Sequence, residues 1–204
     1  DDLAFETIKL VDKLKPKIAV FENVKGLLQE KNKWYVEQIY KQFENIGYRI
    51  CHHLINCADL GVPQKRERVF FFAVRKDINV PTGDIFGCEP CLNLDIKEKH
   101  ITIKHFYNTK QKTDKQNYSD IRFGDIMCNV NKPLKTITGL SRFWISVDEL
   151  LDKNSLLQCG SWSLDYDFLN QDYQYVLGMS VPPLAMCRIS KEIQTQWLDK
   201  LKDK

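Results

Sequence analysis

The stretch Gly61-Val62-Pro63-Gln64-Lys65-Arg66-Glu67-Arg68 runs straight into Val69-Phe70-Phe71-Phe72-Ala73-Val74. Gly and Pro fix a turn, and six consecutive apolar residues make a buried strand. On an extended chain Arg66 and Arg68 project from the same side. Two guanidinium groups beside a core strand suit a polyanion, or a planar polar ligand with acceptor edges. Taken alone, the same residues also describe a solvated charged turn leading into the core.

The chain ahead of this turn is rhythmic. Phe5, Ile8, Val11 and Leu14 recur at helical spacing over residues 3–14, and Lys15-Pro16 stops that helix. Ile18 to Phe21 reads as a buried strand ending in Glu22-Asn23. Gly26 to Lys33 reads as a polar loop. Val36, Ile39, Phe43 and Ile46 form a second helix face, stopped at Gly47, and Tyr48 to Asn56 alternates as a strand. Helix, strand, helix, strand, loop, strand is half of an α/β sheet. A carboxylate closing an apolar strand is costly unless it has a partner or a task. In open α/β sheets, ligands lie beyond the carboxyl ends of parallel strands.

Glu22-Asn23-Val24 and, about forty residues on, Gln64-x-Arg66-x-Arg68 together resemble two motifs of the cytosine-C5 DNA methyltransferase family, in residues, spacing and order. Lys132-Pro133-Leu134-Lys135-Thr136-Ile137-Thr138-Gly139 is similar to the stretch that follows the family's sequence-reading lobe. Glu149 to Tyr166 is a weaker match. Gly178-Met179-Ser180-Val181-Pro182 is similar to the closing Gly-Asn-Ser-Val-Pro motif, with Met179 where Asn is usual. Pro182-Pro183 then opens a last helix through Leu184, Ile189, Ile193 and Trp197.

The resemblance implies a fold and a chemistry. The fold is the C-terminal part of a Rossmann-like S-adenosylmethionine-dependent methyltransferase sheet with a small target-recognition lobe. Its segments are residues 1–76 of the catalytic α/β domain, a lobe at 77–135, and a return segment with closing helix at 136–204. The reaction is methyl transfer from S-adenosyl-L-methionine to C5 of a cytosine flipped out of duplex DNA, in the setting of a restriction-modification system. Cytosine C6 is a poor electrophile, and attack on it is eased when N3 is protonated or hydrogen-bonded as charge builds on the ring. Glu22 is the group for N3 and the exocyclic amine, with its pKa raised by burial if it is to donate a proton. Arg68 would donate to O2. Arg66 would steady the nucleotide or its phosphate, Gln64 would shape the loop and contact backbone, and Asn23 would join them on the target-base and DNA side. Ser180 and Val181 would lie on the cofactor side. The base must leave the stack before any of this can happen.

The family's Gly-rich cofactor loop and its Pro-Cys nucleophile come before Glu-Asn-Val. No Cys precedes Cys51, and Cys88 and Cys91 flank Glu89-Pro90 downstream, in the wrong place. The sequence therefore reads as a C-terminal portion, with a separate N-terminal methyltransferase chain as a candidate partner. The sheet should have about three strands, and the strand of Ile18 to Phe21 should present an edge for that chain or for self-association. The rival class is a catalytically inactive DNA-binding remnant or regulatory subunit, favoured by the absent nucleophile, by Met179 and by a short lobe.

Composition adds bounds. A 204-residue chain with 43% hydrophobic residues can bury a real core, and a net charge of +3 permits nucleic-acid binding without arguing for it. Seven irregularly spaced Cys do not form a disulfide framework, and no apolar run is long enough for a membrane span, so a reducing cytoplasmic setting is expected. In the lobe, Lys97, Lys99, Lys104, Lys110, Lys112 and Lys115 interleave with His100, His105, Phe106 and Tyr107, a pattern for nucleic acid or for a solvated surface. Cys88-x-x-Cys91 with His100 and His105 is compatible with zinc, but a second clean pair is absent. His52-His53 read as strand residues without chemistry. Trp162, Tyr166, Tyr173 and Tyr175 read as packing of the terminal region, with stacking on a base as the alternative.

Overall fold

A computed structural model describes residues 3–83, 89–107, 124–146 and 149–201. The chain divides into two compact units. The first takes residues 1–55, 67–95 and 189–204, and the second residues 56–66 and 96–188. Residues 77–135, expected as one lobe, therefore fall in both units.

In the first unit, helix α1 (Leu3–Leu14) buries Ala4, Ile8 and Val11, and helix α2 (Lys33–Asn45) buries Ile39 and Phe43. Two short 3-10 turns, Lys25–Leu28 and Glu30–Asn32, occupy the expected polar loop. The strands are β1 (Ile18–Val24), β2 (Tyr48–Asn56) and, after a two-residue strand assigned to the second unit, β4 (Glu67–Arg75). Their order is β1-β4-β2, so the sheet has the expected three strands and β1 ends it.

β1 and β4 are antiparallel, with Ile18 opposite Val74, Glu22 opposite Phe70 and Val24 opposite Arg68. Glu22 and Asn23 therefore close the strand nearly where the sequence ends it, but in an antiparallel pair rather than a parallel one. Pairing carries β1 past the apolar run to Val24. Alternation then sorts the sheet. Ala19 and Phe21 face the core with Val69, Phe71 and Ala73, against α1 and α2, and the Phe21 and Phe71 rings stack at 4.6 Å. The opposite face carries Val20 and Glu22 beside Phe72, Phe70 and Arg68. Trp197 closes on Phe72 at 6.4 Å, and its Nε1 donates to the Cys91 carbonyl at 2.9 Å.

His52 and His53 sit on β2 with ring neighbours Tyr40, Phe71 and Phe72. Burial lowers the pKa of both. Below the unfolded value of about 6.5, the unfolded chain takes up protons that the folded chain resists. Stability is then complete above that pH and is lost as pH falls beneath it. The urea midpoint should drop between about pH 7 and pH 5.5. Replacing both rings by Gln should flatten that part of the profile, and an unchanged slope would contradict the assignment.

In the second unit, Cys57–Leu60 forms a 3-10 turn capped by Asn56, whose Oδ1 accepts from the Ala58 amide, and Gly61 follows at φ 82°. That left-handed backbone is open to Gly and strained for other residues. β3 (Gln64–Lys65) pairs in parallel with β6 (Leu134–Lys135). A second small sheet joins β5 (Ile126–Met127), β7 (Phe143–Ser146) and β8 (Glu149–Leu150). Around it Leu134, Ile137, Phe143 and Ile145 pack with Leu156, Leu157 and Leu177, from α3 (Lys153–Cys159) and α4 (Tyr173–Met179). Asp152 and Asp172 cap these two helices by accepting from the Ser155 and Tyr175 amides. α5 (Pro183–Ile193) is the expected closing helix; its residues from Ile189 on, and the π turn over Gln194–Leu198 that carries Trp197, belong to the first unit.

Candidate active site

Glu22 and Arg68 are diagonal neighbours on one face of the β1–β4 pair. Arg68 Nε meets Glu22 Oε1 at 2.7 Å, with side chains 15% and 24% exposed. Arg68 Nη1 donates to the Glu67 carbonyl at 2.9 Å, which fixes the guanidinium plane. The antiparallel register itself brings the carboxylate and the fork together at the margin of an otherwise apolar face. At the same end, Lys25 Nζ and Glu67 Oε2 pair at 3.1 Å. The Asn23 side chain turns back on the chain, its Oδ1 accepting from the Val24 amide at 2.8 Å.

Arg66 does not share the side of Arg68. It falls between β3 and β4, so strand alternation does not run through it. It is 1% exposed, and its guanidinium donates to the Gly178 carbonyl at 2.8 Å and the Ile137 carbonyl at 3.4 Å. Gln64 is equally buried, and its Oε1 accepts from the Ile137 amide at 3.4 Å. Both side chains therefore engage the segment after β6, and Arg66 also engages the end of α4. The approach there is tight. A Cβ on Gly178 would stand 2.9 Å from the Gly139 amide nitrogen and 3.2 Å from the Thr138 carbonyl carbon.

Met179 closes α4 and is 70% exposed, so this turn needs no side-chain amide at that position. Ser180 follows in extended backbone, and its hydroxyl donates to the Leu177 carbonyl at 3.2 Å. Val181 is half-buried.

The other candidates are built into the packing. His100 Nε2 lies 2.7 Å from Asp59 Oδ1, His105 closes a cap with Thr102, and the Tyr107 hydroxyl donates to Glu149 Oε1 at 2.5 Å. Trp162, Tyr166, Phe168 and Tyr173 form a chain of ring contacts. Lys110, Lys112, Lys115 and Cys88 lie outside the described residues. Among the described residues no three His, Cys, Asp or Glu gather as metal ligands, and no helix is long and apolar enough to cross a membrane.

Thiol chemistry separates the cysteines. Burial pushes the Cys51 and Cys128 thiols up to about 12, and that of Cys159 upward as well, whereas Cys91 and Cys187 are exposed. The thiolate is the reactive form. Iodoacetamide at mildly alkaline pH should therefore label Cys91 and Cys187 long before Cys51, Cys128 or Cys159, as read by peptide mass spectrometry. Early labelling of Cys51 would contradict its burial.

The model for C-5 cytosine-specific DNA methylase matches residues 1–163. The type II methyltransferase M.FnuDI of Fusobacterium nucleatum is 44% identical over 78 residues, which are 38% of this chain and 23% of that protein. This chain thus spans less than a quarter of that relative. In three dimensions it is similar to the Entamoeba histolytica methyltransferase EhMeth, with a TM-score of 0.62 at 18% identity, over 96% of this chain and 69% of that one. A Spodoptera frugiperda DNMT2 mutant gives a TM-score of 0.63 at 14% identity, over 94% and 70%. These likenesses place the mixed α/β architecture in the Rossmann-like methyltransferase fold. With its Glu-Asn-Val and Gln-x-Arg-x-Arg steps seated in that fold, the chain belongs to the C-5 cytosine-specific DNA methylase family.

Proposed function

We propose that this chain supplies the target-base pocket of a DNA (cytosine-5-)-methyltransferase, which moves a methyl group from S-adenosyl-L-methionine to C5 of a flipped cytosine in duplex DNA. The observation that carries the reading is the Glu22–Arg68 pair: a carboxylate and a guanidinium oriented by the Glu67 carbonyl, on one sheet face. Cytosine offers N3 and its amine to a carboxyl group and O2 to a guanidinium, which matches this set. Glu22 hydrogen-bonds N3 and the amine, and Arg68 donates to O2, where negative charge develops. Arg66 and Gln64 act as positioning residues, holding the turn that leads into Arg68.

S-adenosyl-L-methionine supplies the electrophilic methyl group when bound. Ser180 and Val181 fit its margin in one respect. The Ser180 donor is engaged with Leu177, so its oxygen lone pairs suit a ligand N–H or O–H. The type II name of the Fusobacterium relative supports a restriction-modification setting. β1, as the end strand of the sheet, is the edge for a chain carrying the Gly-rich loop and the Pro-Cys step, or for a second copy.

The test is transfer of labelled methyl groups to mixed-sequence duplex DNA, by this chain alone and mixed with a family-type chain carrying that loop and that step. Activity in the mixture alone, lost on Arg68→Ala, is the expected result. Silence in both, with assembly shown by sedimentation, would refute the reading. Salt-dependent duplex binding without transfer would then favour the DNA-binding remnant.

A further inference from the structure

The loop after β1 encloses a hollow of about 440 Å³ within the first unit, lined by Asn23, Gln29, Lys31, Asn32, Trp34 and Tyr35, among others. Its chemistry is mixed in a definite way. Trp34 is 61% exposed. The indole meets the Tyr35 ring edge-on at 5.6 Å, and Tyr35 is itself held by Phe5 at 4.9 Å. A large apolar ring left in water on an anchored neighbour is a platform, not a core residue. Lys31 is exposed, and no ion pair is seen for it among the described residues. The amides are oriented by the backbone: Asn32 Nδ2 donates to the Gly26 carbonyl at 2.8 Å, and Asn23 Oδ1 accepts from the Val24 amide.

We infer that this hollow is a nucleotide subsite. A base would stack on the Trp34 indole, its phosphate would meet Lys31, and the amides of Gln29 and Asn32 would face the base edge. An aromatic face, a cation and amide groups in one open cleft are what an unstacked nucleotide of a DNA strand can use together. It would not be the base held by Glu22. Asn23 and Glu22 are consecutive on β1 and point to opposite faces of the sheet. The hollow thus takes a second nucleotide of the bound strand. The assignment of that strand to DNA rests on the methyltransferase reading, while the stacking chemistry does not.

The experiment is fluorescence anisotropy of a labelled mixed-sequence single-stranded oligonucleotide titrated with the chain and with Trp34→Ala, Trp34→Phe and Lys31→Glu. Trp34→Ala should weaken binding by about tenfold, and Trp34→Phe should recover much of it. Lys31→Glu should weaken binding and flatten its salt dependence. Both side chains are exposed, so the variants should fold, and Lys31→Glu carries the test if Trp34→Ala does not. Equal affinity for all four chains would overturn the inference. So would displacement of the oligonucleotide by S-adenosylhomocysteine, which has a base but no phosphate, or loss of self-association in place of loss of binding. Failure of methyl transfer with the Trp34 effect intact would remove the methyltransferase reading and leave the subsite standing.

Discussion

Replacing Arg66 by Ala should unfold the second unit's joint before it affects any ligand. Arg66 is 1% exposed, and its guanidinium serves the carbonyls of Gly178 and Ile137. Truncation would leave two buried acceptors without that donor and a cavity in place of a long side chain. Hydrogen bonds to a charged group are each worth about 1.5–3 kcal/mol, so a loss of about 3–5 kcal/mol is expected. That is a large share of a typical domain's stability. Arg66→Lys should recover only part, because one ammonium cannot copy the planar fork. Gly178→Ala attacks the same joint from the other side. Its new Cβ would press on the Gly139 amide nitrogen at 2.9 Å, where backbone must move, at about 1–3 kcal/mol. The two effects should be less than additive, since Gly178 carries the carbonyl that Arg66 holds. Urea denaturation of the two variants and the double variant measures all three quantities. A phosphate-binding Arg66 predicts the reverse pattern, with unchanged stability and weaker, less salt-dependent DNA binding.

That contrast marks where sequence reading reaches its end. The elements of the first unit were legible because each is long and periodic. Residues 3–14 as a helix, Tyr48–Asn56 as a strand and the Phe-rich run as a core strand follow from spacing alone. The direction of pairing was not legible. Antiparallel β1–β4 pairing is set by long-range register, and it sets Glu22 diagonally across from Arg68. In the second unit, β3 and β6 have two residues each, too few for any period to register. Arg66 was misleading for a physical reason. A charged residue in Gln-Lys-Arg-Glu-Arg looks solvated, and nothing local reveals that carbonyls from Ile137 and Gly178 will surround it. The signal that could have found it is Gly178. A Gly at the end of a short helix, followed by Met-Ser-Val-Pro-Pro, suggests close backbone approach, and a buried guanidinium is one way to satisfy the carbonyls left there.

Under the proposed reaction, Glu22→Gln should cost turnover and spare the fold. The Glu22–Arg68 pair lies at the margin of the sheet, with side chains 24% and 15% exposed, and Gln keeps the shape and one acceptor. Partly exposed pairs contribute about 0–1 kcal/mol, so the urea midpoint should move little. The chemical step is different. When a thiolate adds to C6, electron density flows to N3 and O2. A carboxyl group can deliver or share a proton at N3, whereas an amide can only hydrogen-bond there. Loss of a positioned acid–base group lowers rates by about 10²–10⁴-fold, and that range is expected for methyl transfer in the assembled system. Arg68→Lys should also fall, because one ammonium cannot hold Glu22 and reach O2 from one fixed plane. The kinetic split is informative. If Glu22 acts in the transition state, kcat falls with little change in KM for DNA, and a pure positioning role would raise KM instead. Turnover of the Gln variant within about twofold of the parent would remove Glu22 from the chemistry. The Arg68 guanidinium and the Glu67 carbonyl that orients it would then remain as the pocket's polar wall.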